Sequence, residues 1–132
     1  MSKTYDPIPE YMEKVAKEVV DSAFHVHQEL GPGLLEQIYE ACMNYELGTR
    51  KLHVESQVIY PVFYKEIQMD TGLRIDLLVE DCIVVELKSV EKLNPLYEAQ
   101  LLTYLKLANK RLGFLINFNV PLIRDGIKRL VR

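Results

Sequence analysis

Between residues 8 and 30 the apolar positions recur at helical spacing. Met12, Val15, Val19, Ala23 and Val26 fall on one side with charges between them, which predicts an amphipathic helix. Gly31-Pro32-Gly33 then breaks the chain. A second helix is predicted over residues 34–47, with Leu35, Ile38, Cys42 and Tyr45 as its apolar stripe and Gly48 as its stop. After Lys51 the texture changes. Residues 54–64, rich in Val, Ile, Tyr and Phe, read as a strand, and residues 72–79 as a second. Residues 82–88 form a third, apolar almost throughout and charged only at its end. Helical spacing returns over residues 96–108, where Leu101, Leu105 and Ala108 share one side. Pro95 suits the first turn of that helix and Asn94 can cap it. Residues 113–118 are a last apolar strand, and the tail from Pro121 is expected to add a short edge strand or a turn.

The order is helix, helix, three strands, helix, strand. The early strands should be antiparallel neighbours. The last follows a crossover helix and can lie parallel to one of them. The expected fold is α/β, a mixed sheet with helices on its faces, in one domain spanning 1–132.

Composition narrows this little further. With 132 residues, 48% hydrophobic and 27% charged, the chain is a folded globular domain and not a disordered one. No apolar run is long enough to span a membrane. The first ten residues lack the apolar core of an export signal, so a cytoplasmic protein is expected. Cys42 and Cys82 form no metal-type pair and are expected to be buried or half-buried thiols. A net charge of -3 argues against coating nucleic acid through bulk positive charge, yet it is compatible with a carboxylate metal site. The basic residues are uneven. Arg124, Lys128, Arg129 and Arg132 crowd the C-terminus, and Lys106, Lys110 and Arg111 precede Gly113. They could form a basic rim around an acidic pocket or simply a solvated surface.

The chemistry lies in the segment from Arg74 to Lys88. Asp76 interrupts a strand otherwise made of Ile75, Leu77, Leu78 and Val79, and Glu86 and Lys88 end the run Ile83-Val84-Val85. Charges inside apolar strands are costly unless paired or metal-bound. Glu86 and Lys88 are two apart and share a face. Register decides whether Asp76 joins them. A two-residue turn at Glu80-Asp81 would put Asp76 on the opposite face. A three-residue loop of Glu80-Asp81-Cys82, or a bulge, would bring Asp76 opposite Glu86. The odd loop or bulge is expected. It should also gather Ile75, Leu77, Val79, Ile83, Val85 and Leu87 on the other face as core. Two carboxylates with oxygen donors suit Mg²⁺ or Mn²⁺ and not zinc. Taken alone, the three residues read more readily as a surface salt bridge, because Asp and Glu-x-Lys at this spacing are common.

Two further spacings bear on that choice. Glu36 and Tyr39 are three apart on the second helix, and Gln100 and Tyr104 are four apart on the later one. The whole set resembles the PD-(D/E)XK nuclease superfamily, in its branch of small stand-alone GxxExxY proteins. Gly33, Glu36 and Tyr39 match the name motif; Asp76 with Glu86-x-Lys88 matches the catalytic motif; Gln100 and Tyr104 match the QxxxY element of phage-exonuclease-like members. The likeness runs over roughly residues 20–131 and implies a restriction-endonuclease-like core.

The resemblance implies that Asp76, Glu86 and the backbone carbonyl of Leu87 bind Mg²⁺ or Mn²⁺, with Lys88 positioning the attacking water. It implies that Glu36 reaches the metal from its helix, directly or through water. Gln100 and Tyr104 would support the site or touch the nucleic-acid backbone, with Tyr39 in a supporting place. Tyr97 stands where the family pattern suggests a histidine, so any substrate contact there differs. The implied function is hydrolysis of phosphodiester bonds, in DNA ahead of RNA. The alternative is a weak or inactive nucleic-acid-binding or partner-binding module of the same fold. A homo-oligomer, or a larger repair or defence assembly, would supply specificity.

Other residues are left in bland roles. His25 and His27 lie about 200° apart around a helix and cannot readily share a metal. His53 reads as a loop or strand-edge residue. Neither cysteine has an activating base in view, and tyrosines such as Tyr45 and Tyr60 are expected to pack.

Overall fold

The computed structural model of the protein describes residues 5–132. Helix α1 (Glu10–Leu30) and helix α2 (Glu36–Thr49) precede β1 (Val54–Tyr60), β2 (Phe63–Tyr64), β3 (Ile67–Gln68), β4 (Leu73–Val79) and β5 (Ile83–Lys88). Helix α3 (Pro95–Leu107), β6 (Leu112–Asn117), a 3-10 turn (Ile123–Gly126) and β7 (Ile127–Val131) follow. Five strands make one sheet in the order β1-β4-β5-β6-β7. Only β5 and β6, joined through α3, run parallel; the other neighbours are antiparallel. The crossover reading and the edge strand in the tail are both met.

Helices α1 and α2 cover one face of the sheet and α3 covers the other. The α1 face is the one its periodicity predicts: Met12, Val15, Val19, Ala23 and Val26 are all buried. So are Leu101, Leu105 and Ala108 on the α3 side. Asn94 caps α3, its side chain accepting the Leu96 N–H at 2.9 Å. Helix α2 corrects the expected stripe. Tyr39, Met43 and Leu47 face the core, whereas Leu35 is 69% and Tyr45 75% exposed. The side that could bury a phenol won, because Tyr39 finds partners for its hydroxyl. That hydroxyl donates to Gly31 O (2.7 Å) and accepts from Leu34 N–H (3.1 Å), while the ring stacks on Phe118. It thereby clips the turn in which Gly31 (φ 73) and Gly33 (φ 97) take left-handed conformations.

The single strand expected over 54–64 is broken in two at Pro61, which has no N–H for the ladder. Beyond it, β2 and β3 make a separate hairpin. Four of the basic residues considered for a rim have partners within the chain. Arg129 pairs with Glu13, Lys128 with Glu98 and Lys110 with Asp81, while Arg111 donates to the carbonyls of Asp6 and Pro7.

The turn between β4 and β5 sets the register. Glu80 (φ 50) and Asp81 (φ 53) are both left-handed, and Cys82 N–H closes on Val79 O at 3.0 Å. Cys82 is thus a third loop residue, and Val79 pairs with Ile83, Leu78 with Val84 and Leu77 with Val85. This is the odd loop expected from the sequence. On the other side of β4, Ser56 pairs with Leu77 and Val58 with Ile75, which leaves Gln57 facing Asp76. Gln57 has a φ of 53, rare for a residue with a side chain. The alternation of β4 inverts at that level. Leu77 and Val79 pack toward α1 and α2, but Leu73 and Ile75 pack toward α3. Ile75 therefore does not share a face with Leu77, contrary to the regular alternation expected.

Candidate metal centre

The kink at Asp76 is where β4 and β5 part. Their pairing ends at Leu77 and Val85. One step further the Asp76 carboxylate replaces a backbone acceptor, with its Oδ2 taking the Leu87 N–H at 2.9 Å. Strand β5 stays regular against β6 through Lys88. Ile83, Val85 and Leu87 therefore face α1 and α2, and Glu86 and Lys88 face α3.

Glu86 is buried under unfavourable conditions for a carboxylate. It is 7% exposed, and its Oε1 has no hydrogen-bond partner. Its carboxyl is pushed up to about 9, by burial first and then by the charge of Asp76 and a carboxyl–carboxyl contact with it. Lys88 opposes the shift only in part. Two carboxylates are held together here with too little positive charge, and a buried acceptor is left over. That combination fits a divalent cation with oxygen ligands.

Lys88 does not pair with either carboxylate at ion-pair distance. Its ammonium lies 4.3 Å from the centre of the Tyr97 ring on α3, a cation–π contact. Tyr104, seven residues on, has its hydroxyl pushed up by burial and by the charges of Glu86 and Asp76. Gln100 lies between them on the same helical face, exposed. The structure thus brings together Asp76, Glu86, Lys88, Tyr97 and Tyr104, with Gln100 at the rim. Tyr39 is wholly buried and supports the α1–α2 turn without facing the site.

Glu36 does not come in. It is exposed at the first residue of α2. Its neighbour one turn on, Glu40, is half-buried and accepts the Gln57 side-chain N–H at 2.6 Å. Burial pushes the Glu40 carboxyl up, as do the charges of Asp76 and Glu36, while the Gln57 bond pulls it down. No periodicity marks Glu40 in the sequence, since it is one of several charges on an amphipathic helix. Among the described residues no three His, Cys, Asp or Glu side chains close on one point.

The exit from Lys88 is clamped by residues that carry no motif. Phe118 N–H bonds Lys88 O (3.0 Å), and Ser89 Oγ donates to Leu34 O (2.5 Å). Asn117, almost fully buried, accepts from Val90 N–H (3.1 Å) and donates to Val90 O (2.9 Å). Of the residues left in bland roles, Tyr60 packs against the α3-side core, but Tyr45 stands 75% exposed instead of packing. His27 is buried on Val120 O, His25 sits in an exposed ion-pair group, and both cysteines are free thiols. Two grooves, of about 670 and 430 Å³, border α1 on the far face of the sheet, and neither is lined by Asp76 or Glu86. No described helix is long and apolar enough to cross a membrane.

A mixed five-stranded sheet between helices, split where an Asp meets a Glu-x-Lys, is a restriction-endonuclease-like fold. A family model described as the PD-(D/E)XK nuclease superfamily matches residues 13–130, and the chain belongs to that superfamily. No significant match was found among curated proteins or solved structures.

Proposed function

We propose that this protein is a nuclease of the GxxExxY branch that hydrolyses phosphodiester bonds in DNA, using Mg²⁺ or Mn²⁺ at Asp76 and Glu86. The observation that carries the reading is the buried, unpartnered Glu86 oxygen held against Asp76, two residues from Lys88. A divalent cation bound there supplies Lewis-acid polarisation of the phosphate and a more acidic water. The chain's own residues do the rest. Asp76 and Glu86 hold the ion. Asp76 is itself fixed by the Leu87 N–H, so its free oxygen has a defined direction. In a strand the N–H and C=O of one residue face the same neighbour, so the Leu87 carbonyl also turns toward the split and can serve as a ligand. Lys88, held over Tyr97, positions the attacking water and offsets charge gathering on the phosphate. Tyr104 and Gln100 line the α3 side, where the strand backbone would lie.

The test uses end-labelled single- and double-stranded DNA and RNA with Mn²⁺, with EDTA as control, beside Lys88→Ala and Asp76→Ala. Cleavage by the wild type that EDTA stops and both variants lack is the expected result. Cleavage that survives both substitutions places the chemistry elsewhere. Binding of DNA with no cleavage on any substrate would instead make the protein a binding module of the same fold.

A further inference from the structure

Gln57 stands mid-strand in a left-handed conformation directly opposite Asp76. Nothing in its own strand calls for it: the register runs one to one through this level, and left-handed backbone ordinarily recruits glycine. Its one side-chain hydrogen bond among the described residues is to α2, where its Nε2 donates to Glu40 Oε1 at 2.6 Å. The backbone is thus bent at a cost, and the result is a tethered carboxylate. Glu40 is held on the α2 side of the sheet split, within electrostatic range of Asp76. No donor among the described residues takes its other oxygen. On the α3 side of the same split lies the buried Glu86 with its unpartnered Oε1. That orphan acceptor, independently of Glu40, calls for positive charge beside Asp76 and Glu86.

We propose that Glu40, held by Gln57, is the carboxylate through which α2 serves the cation of Asp76 and Glu86, in place of the motif residue Glu36; the inference rests on the metal reading above. No third carboxylate closes on the pair, so Glu40 acts at one water's remove. Mg²⁺ and Mn²⁺ sites commonly keep waters and are oriented by such outer carboxylates. Gln57 is a positioning residue that works only through Glu40. Glu36, solvent-exposed one turn away, contributes general negative charge and no direction.

Calorimetric titration of the full-length chain with Mn²⁺ tests this without any turnover, with circular dichroism to confirm the fold of each variant. Glu40→Gln should weaken Mn²⁺ binding about tenfold or more. Gln57→Ala should weaken it by about threefold to tenfold, and Glu36→Gln by less than about twofold. Asp76→Asn should abolish it. Full-strength binding by Glu40→Gln, with binding lost in Asp76→Asn, overturns the role of Glu40 and leaves the metal centre standing. Equal losses in Glu36→Gln and Glu40→Gln overturn it as well. Unchanged binding in Asp76→Asn sinks the centre itself. Should Glu40→Gln not fold, Gln57→Ala carries the same decision, since it leaves every carboxylate in place.

Discussion

Replacing Glu86 with glutamine should stabilise the metal-free protein near neutral pH and remove its response to divalent cations. The carboxyl is raised from 4.5 to about 9, with burial the leading cause and Asp76 next. Because the folded state binds this proton more tightly than the unfolded chain, stability is full below the unfolded value of 4.5 and is lost as pH rises toward about 9. Three units into that window, at about pH 7.5, the loss is about 4 kcal/mol, since each unit is worth about 1.4 kcal/mol. At 7% exposure solvent screens little of it. Glutamine has the same shape and no charge, but its buried amide needs partners and forfeits about 1–2 kcal/mol of the gain. The net expectation is about 2–3 kcal/mol in favour of Glu86→Gln at about pH 7.5, falling to zero between about pH 5 and about pH 6 and reversing below that. Urea denaturation in EDTA at several pH values measures this directly. Wild type should lose stability with rising pH, and the variant should stay nearly flat over the same range. Added Mn²⁺ should then stabilise wild type and leave the variant unchanged. A wild-type curve that is flat in EDTA between about pH 5 and about pH 8.5, or a variant that is less stable at about pH 7.5, would refute the reasoning.

Three more expectations follow from contacts at and around the site. Tyr97→Phe keeps the ring under the Lys88 ammonium and should cleave within about twofold of wild type, whereas Tyr97→Ala should lose about 3- to 30-fold in single-turnover rate; equal losses in both would mean that the ring is not what holds Lys88. Tyr39→Phe removes the hydroxyl that bridges Gly31 O and Leu34 N–H and should cost about 1–3 kcal/mol in urea denaturation with Mn²⁺ affinity unchanged; a large loss of affinity would place Tyr39 in the site. Asn117→Ala leaves both backbone groups of Val90 without their partner and should cost about 2–3 kcal/mol, with faster amide exchange at Val90 and Asn119; unchanged exchange would show that the clamp is idle.

The fold and the centre differ in how far they could be read from residues alone. The buried faces of α1 and α3 were legible because each carries a single apolar stripe. Helix α2 carries apolar residues on two sides, and periodicity cannot choose between them. The choice fell to the Tyr39 hydroxyl, which needs two backbone partners supplied by the Gly31–Leu34 turn. The three-residue loop after Val79 was legible from parity, since only an odd loop places Asp76 with Glu86. The inversion of β4 at Asp76 was not, because it goes with left-handed backbone at the facing Gln57, a residue type that gives no such signal. The same blindness hid Glu40, which matters through a tertiary hydrogen bond to that residue. Glu36 was favoured by a motif, and the structure leaves it exposed at the start of α2.

The sheet split explains why fold and site cannot be separated at Asp76. A strand that parts from its neighbour leaves backbone donors without acceptors, which buried structure does not tolerate cheaply. Here the Asp76 side chain fills the vacancy by accepting the Leu87 N–H. The same bond holds the carboxylate against Glu86 and so creates the electrostatic tension that a cation would relieve. Asp76→Ala therefore strips a structural acceptor and a metal ligand at once, while also easing Glu86, and its effect on stability is a difference of opposed terms. Asp76→Asn keeps an acceptor for Leu87 and removes only the charge. The gap between those two variants, measured without metal, is the share of Asp76 that belongs to the fold; what Asp76→Asn alone loses in Mn²⁺ binding is the share that belongs to the site.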